Sequence, residues 1–200
     1  MKRIGIMGGT FNPIHNGHLH LARTAQKKFK LAKVIFVPSG LPPHKGREEL
    51  ADKEHRYQMT YLATEGNPRF SVSRIELDRK GYSYAVDTFK VLRKEFGKAE
   101  LYYIMGLDSI NEILSWKKPL ELLKLCQFIV ATRPGAKVRT FKRISKFPPL
   151  VPDLDKVHLI ELKADVSSTE VRRRIKEGKS IRRLVPKAIA EYIEKYRLYT

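Results

Sequence analysis

The sequence predicts an α/β protein with an open, doubly wound parallel sheet and a small C-terminal helical region. Three observations lead there. Short apolar runs typical of buried strands alternate with stretches of helical apolar spacing, which implies parallel βαβ units. The first such run ends on a glycine pair with a helix soon after, the place where open α/β sheets bind ligands. The 200 residues, 42% apolar and 30% charged, suffice for one buried core without disulfides or metal. The expected division is a core over 1–165 and a helical subregion over 166–200 packed on it.

Each element has its own signal. Arg3 to Met7 reads as a buried strand that Gly8-Gly9 breaks. From Gly17, Leu19, Ala22, Ala25 and Phe29 recur at threes and fours and predict a helix. Val34 to Val37 is a strand stopped by Pro38, and polar residues 39–51 form a loop. Residues 52–64 look helical, with Tyr57, Tyr61 and Leu62 on one face. Phe70 to Leu77 alternates like a strand, and Tyr84 to Phe96 is helical with Gly97 as its stop. Leu101 to Met105 is a strand ended by Gly106; helical signal then runs from Asp108 to Leu125, and Phe128 to Ala131 is another strand. Residues 134–156 hold four prolines and no clear period, and read as a long loop. Val157 to Leu162 is the last strand, followed by helices over 169–177 and 186–197. The second of these carries Ala188, Ile189, Tyr192, Ile193 and Tyr196 on one stripe, with Pro186 in its first turn.

Composition excludes several classes. No apolar run reaches about 18 residues, so no membrane span is expected, and the apolar start is too short for a signal-peptide core. The single cysteine, Cys126, makes neither an intrachain disulfide nor a cysteine-based zinc site, and reads as core. The cytoplasm is the expected location. Forty Lys and Arg against 21 Asp and Glu leave +19, which points to polyanionic partners. Few Asn and Gln beside many Lys, Arg and Glu is also a heat-adapted pattern.

The residues with chemistry begin at Gly8-Gly9-Thr10-Phe11, followed by His15, Gly17 and His18 at the start of the first helix. Glycines let a backbone approach phosphate, and a helix start offers free N–H groups and a positive dipole end. Imidazoles there can donate to phosphate oxygens and steady charge that builds during transfer. The spacing fits neither a Walker A loop nor G-x-G-x-x-G. Two histidines with no carboxylate nearby make a poor metal site, so no protein-held metal is expected. Ser167-Ser168-Thr169, with Glu170 next, reads either as an ordinary helix cap or, with Arg172 to Arg174, as a second anion site. Asp108 follows a strand end and either takes ribose hydroxyls or caps the next helix. Lys45 sits behind two prolines that stiffen its loop, and Trp116, among Ser115 and two lysines, fits a rim.

Taken together, these motifs resemble the nucleotidyltransferase superfamily with the (T/H)-x-G-H signature, and the string GGTFNPIHNGHL resembles its bacterial nicotinate-mononucleotide adenylyltransferases. The resemblance spans nearly the whole chain. Pro42-Pro43-His44-Lys45 is similar to the family's substrate loop, and Gly81-Tyr82-Ser83-Tyr84 with Asp87-Thr88 to the segment near the pyridine ring. Gly106-Leu107-Asp108, the ring-stacking Trp116, Arg133-Pro134-Gly135 beside adenine, and Val166 to Arg172 complete it in order. Val166, Ala85 and Lys117 depart from the usual residues.

The resemblance implies a Rossmann-like nucleotidyltransferase fold and adenylyl transfer from ATP to nicotinate mononucleotide, giving nicotinate adenine dinucleotide and pyrophosphate in NAD biosynthesis. It implies His15 and His18 as catalytic groups on the ATP phosphates. Gly8, Gly9, Thr10, Phe11, Gly106, Asp108, Arg133, Ser168, Thr169 and Arg172 complete the ATP site. His44, Lys45, Ser83, Tyr84, Ala85 and Trp116 would bind the mononucleotide. Mg²⁺ would come with ATP, held by phosphates and water. Nucleic acid and membrane are not expected partners; self-association stays open. The rivals are a pantetheine-phosphate adenylyltransferase or cytidylyltransferase with the same histidine block, and a non-catalytic basic nucleic-acid-binding protein. The latter calls for an aromatic platform interleaved with basic residues.

Overall fold

A computed structural model describes residues 1–43, 50–132, 156–162 and 166–200. Among them six strands form one sheet, every pair parallel. The strands are β1 (Arg3–Gly9), β2 (Lys33–Pro38), β3 (Phe70–Val72), β4 (Glu100–Gly106), β5 (Gln127–Thr132) and β6 (Val157–Glu161). The helices are α1 (Asn16–Lys28), α2 (Lys53–Thr64), α3 (Ala85–Phe96), α4 (Leu107–Asn111), α5 (Pro119–Leu125), α6 (Ser168–Lys176) and α7 (Lys187–Lys195). Strand order is β3-β2-β1-β4-β5-β6. The chain winds outward from β1 to β3, then returns to β4 and winds the other way, so the switch point lies between β1 and β4.

Period-two alternation sorts the strand side chains into two cores. Val34, Phe36, Tyr102, Ile104 and Ile129 face a layer with Leu19 and Ala22 of α1, Met59 of α2, Val171 of α6 and Ile189 and Ile193 of α7. Ile35, Val37, Leu101, Tyr103, Met105, Phe128 and Val130 face the other layer, with Val86, Phe89 and Leu92 of α3 and Leu122 and Leu123 of α5. A sheet covered on both faces needs near-continuous apolar strands, which is how β1, β2, β4 and β5 read. Residues 166–200 contribute to the first core directly, through Val171, Ile181, Val185, Ile189 and Ile193. Cys126 is buried in the second, where desolvation pushes its thiol pKa up.

Several expected elements change. β1 continues through Gly8-Gly9, which pair with Val37 and Pro38 of β2, so the glycines end the strand instead of breaking it. β3 stops at Val72 because Arg74 forks onto Glu54 at 2.8 and 2.9 Å and also binds Asp78 at 3.1 Å, drawing residues 74–78 into a turn. The helix expected over 108–125 is three pieces: α4, a 3₁₀ turn at Ile113–Ser115, and α5. Pro119 disfavours helical geometry in the residue before it, and Lys118 is left-handed at φ 49°. On α2 the buried face is Arg56, Met59, Thr60 and Thr64, while Tyr61 is exposed. On α7 only Ile189 and Ile193 are buried; Ala188 and Tyr196 are exposed, and Pro186 precedes the helix as its N-cap. The long loop expected over 134–156 lies outside the described residues except for Lys156. No helix among the described residues is long and apolar enough to cross a membrane.

Candidate active site

The C-terminal ends of β1 and β4 open at the switch point. From β1 the chain passes through Gly8, Gly9, Thr10 and Phe11 to a cis Asn12-Pro13 peptide and then to α1. From β4 it passes through exposed Gly106 directly into α4, with Asp108 exposed in its first turn. Phe11 adopts φ 48° and buries its ring against Phe36 and edge-on to His18, so only its backbone faces the loop's outer side.

His15 is the N-cap of α1 and is only 6% exposed. Its ring stacks on His18 at 3.7 Å between centroids. Burial pulls its pKa down to about 4, so it is neutral near pH 7. Its Nδ1 is buried with no hydrogen-bond partner among the described residues, the kind of orphan that a ligand oxygen or water satisfies. The His15 backbone N–H donates to His18 Nδ1 at 3.3 Å. An Nδ1 that accepts leaves the proton of neutral His18 on Nε2, which makes Nε2 a donor. Gly17 between them leaves little room for a side chain: a Cβ there would lie 3.1 Å from the His15 ring and 3.4 Å from the Val166 carbonyl, so the ring would have to give way slightly.

A second helix start meets the same turn. Ser167 caps α6 by accepting from the Glu170 N–H at 3.1 Å. The Ser168 hydroxyl donates to the Pro13 carbonyl at 3.0 Å, and Arg172 Nη1 donates to the Asn12 carbonyl at 2.9 Å. Thr169 is exposed at this start. Arg173 and Arg174 are instead tied to Glu170 within the helix, and Arg173 also to Glu177. Those two guanidiniums hold the Glu170 pKa at about 2 and form a surface ladder away from the turn.

The third part lies at the start of α3. The Ser83 hydroxyl accepts from the Gly40 and Leu41 N–H groups at 2.9 and 3.3 Å, and the Ser83 N–H donates to the Leu41 carbonyl at 2.8 Å. Ser83 thus latches one segment to another. Tyr84 is the N-cap and Ala85 the first residue of the helix, where amides have no partner inside the helix. Beneath them Glu76 is buried, its hydrogen bonds including one from Thr88 at 2.6 Å; burial raises its pKa, and Thr88, Arg79 and Ser83 pull it back. Trp116 is half-buried 6.2 Å from Tyr103, and Lys117 pairs with Asp87 at 2.9 Å above the Tyr84 ring. His44, Lys45, Arg133, Pro134 and Gly135 lie outside the described residues. No group of three or more His, Cys, Asp or Glu that could hold a metal occurs among the described residues.

The cytidylyltransferase-like family model matches residues 6–174. The chain belongs to that family. It is 50% identical over 98% of its length to a protein of Thermoanaerobacter sp. strain X514, and 51% identical over 98% to one of Moorella thermoacetica. The matches cover 94% and 91% of those proteins, and both are described as "Probable nicotinate-nucleotide adenylyltransferase". Among solved structures, Plasmodium falciparum nicotinic acid mononucleotide adenylyltransferase, in a complex with NaAD, shares the fold: the TM-score is 0.79 at 21% identity, over 100% of this chain and 98% of that one.

Three residues of this cytidylyltransferase-like chain knit the site together; Asn12 stands in the glycine-histidine string without a role read from it, and Arg56 and Tyr199 carry no signal in the sequence. Arg56, 1% exposed, donates to the carbonyls of Thr10, Ser39, Gly40 and Ala51 at 2.6–3.0 Å. Asn12 Oδ1 accepts from the Ala51 N–H at 3.1 Å and from the Tyr199 hydroxyl at 2.9 Å. Burial raises the Tyr199 pKa, so its hydroxyl stays protonated as a donor.

Proposed function

We infer that the chain transfers the adenylyl group of ATP to nicotinate mononucleotide, releasing pyrophosphate and forming nicotinate adenine dinucleotide. One observation carries this reading: the positive starts of α1 and α6 meet around a single turn, Asn12-Pro13, with two stacked imidazoles at the α1 start and with Ser168 and Arg172 of α6 bonded to the turn. Two helix starts facing one loop suit a chain of phosphates.

The attacking group is a phosphate monoester with a second pKa of about 6, already anionic near neutral pH, so no strong base or covalent nucleophile is needed. Catalysis then rests on alignment and on neutralising charge at the α-phosphate. Gly8, Gly9 and the Thr10 and Phe11 backbone cradle the triphosphate. Neutral His15 and the His18 Nε2–H donate to its oxygens, with His18 the donor whose bond strengthens as charge builds. Ser168, Thr169 and Arg172 take the leaving pyrophosphate, and Asp108 takes ribose hydroxyls. Arg133 borders adenine, and His44 and Lys45 reach the mononucleotide phosphate. Mg²⁺ arrives with ATP as part of the substrate, and a reaction on such small anionic substrates belongs in the cytoplasm.

The pyridine carboxylate is recognised at the start of α3. The Tyr84 and Ala85 amides there offer donors only, at the positive end of a twelve-residue helix. A carboxamide would set its NH₂ against those donors, which costs about 1–3 kcal/mol or more. Trp116 stacks on either ring. The test is pyrophosphate release with MgATP and a panel of acceptors: nicotinate mononucleotide, nicotinamide mononucleotide, phosphopantetheine, and no acceptor. Release with nicotinate mononucleotide far above the others is expected; equal release with phosphopantetheine refutes the assignment.

A further inference from the structure

We propose that Arg56 is a positioning residue that sets the acceptor side of the site against the phosphate loop. It touches no substrate. Its four donor bonds reach Thr10, at the end of the phosphate loop; Ser39 and Gly40, just past β2; and Ala51, just before α2. Three of these four carbonyls flank the segment that leaves β2 and returns to α2; the fourth belongs to the loop that cradles ATP.

The arrangement is unusual for a core side chain. A buried guanidinium ordinarily faces a carboxylate. These four bonds all go to backbone carbonyls, and the nearby Asp52 side chain instead caps α2 through the Glu54 N–H. Only the planar, forked head of arginine reaches four such oxygens from one stem. The site holds little slack. Gly40 is gripped from both sides, its carbonyl by Arg56 and its N–H by the Ser83 hydroxyl, and a Cβ on Gly40 would strike the Glu76 carbonyl. The Ser83 latch leads directly into the α3 start proposed above for the pyridine carboxylate. A continuous run of hydrogen bonds therefore links Thr10 to Arg56, Gly40, Ser83 and α3. On the other flank, Asn12 binds the Ala51 N–H while Arg56 binds the Ala51 carbonyl.

The proposal rests on the function proposed above, but its physical content can be read without any turnover. In Arg56→Lys the charge stays and the fork is lost. Hydrogen exchange, followed by mass spectrometry on variants checked for folding by circular dichroism, should quicken roughly tenfold or more in peptides covering 39–41 and 51–52. Peptides of β4 and β5 should be unchanged. In kinetics, the KM for nicotinate mononucleotide should rise about tenfold, and the KM for ATP by less than about threefold, because three of the four bonds lie on the acceptor side. Millimolar guanidinium added to a folded Arg56→Ala should restore part of the acceptor KM. A purely structural staple gives a lower Tm with both KM values unchanged or shifted alike, and no guanidinium rescue; that result overturns the proposal. Should both variants fail to fold, ¹⁵N-arginine spectra of the wild type replace them. The Arg56 Nε–H, which donates to the Ala51 carbonyl at 3.0 Å, should shift when nicotinate mononucleotide saturates, and its failure to move overturns the proposal. If the wild type makes no nicotinate adenine dinucleotide while the exchange result holds, it is the function that fails and the clamp that stands.

Discussion

Lowering the pH should destabilise this protein through His15 before its ordinary carboxylates titrate. In the unfolded chain His15 titrates near 6.5; in the fold, burial brings its pKa to about 4. Between those values the unfolded state binds more protons, so stability is full above about pH 6.5 and falls as pH drops toward 4. Each pH unit crossed inside that window costs about 1.36 kcal/mol, so at pH 4.5 the deficit from this residue alone is about 2–3 kcal/mol. Other groups titrate in the same range, so the measurement is a difference. Urea unfolding of wild type and His15→Asn is compared at pH 7.5 and 4.5. Asparagine cannot take the proton, so the wild type should lose about 2–3 kcal/mol more than the variant over that interval. Equal losses refute the claim that His15 is held neutral. A neutral His15 also means that the loop meets ATP with hydrogen-bond donors and helix ends, not with an imidazolium at that position.

Four further outcomes follow from the site. His18→Ala should cut kcat by on the order of a hundredfold or more with ATP affinity little changed, since its Nε2–H acts on developing charge; single-turnover kinetics and nucleotide titration separate the two. Gly17→Ala should lower kcat while circular dichroism stays native, because the new Cβ crowds the His15 ring from 3.1 Å; unchanged turnover would show that the histidine stack is not needed. Tyr199→Phe removes one hydrogen bond from Asn12, which keeps the one from Ala51, so unfolding experiments should show a loss of only about 0.5–1.5 kcal/mol. Trp116→Ala should weaken nicotinate and nicotinamide mononucleotides alike, leaving the ratio of their kcat/KM values within about twofold, because stacking on a ring ignores its substituent.

The doubly wound sheet is legible because buried parallel strands write themselves as apolar runs, and the turn between β1 and α1 stands out because glycines and paired histidines have few other reasons to sit together. The cap at Ser167 is equally plain. The α2 face misleads for a physical reason: charged residues are rarely fully buried, so spacing favours Tyr57 and Tyr61 over Arg56. Arg56 is buried because loop carbonyls on three segments need donors, and those segments meet only in three dimensions. Ser83 shows the same limit. The resemblance assigns it to the acceptor directly, yet its hydroxyl accepts from Gly40 and Leu41, a demand set by a loop more than forty residues away. Pro119 does announce the break before α5; apolar spacing outweighs it and reads as one long helix.

Asn12 joins parts of the chain made at very different times. Its side-chain oxygen meets Ala51 and Tyr199, and its carbonyl meets Arg172. A ribosome releases the first four strands and the glycine loop long before residues 172 and 199 emerge. Until then the loop can fold but lacks the guanidinium and the hydroxyl that hold its turn. The Asn12-Pro13 turn is therefore fastened late in synthesis, and a nascent chain stalled before residue 172 would carry all six strands with neither the Arg172 nor the Tyr199 contact made.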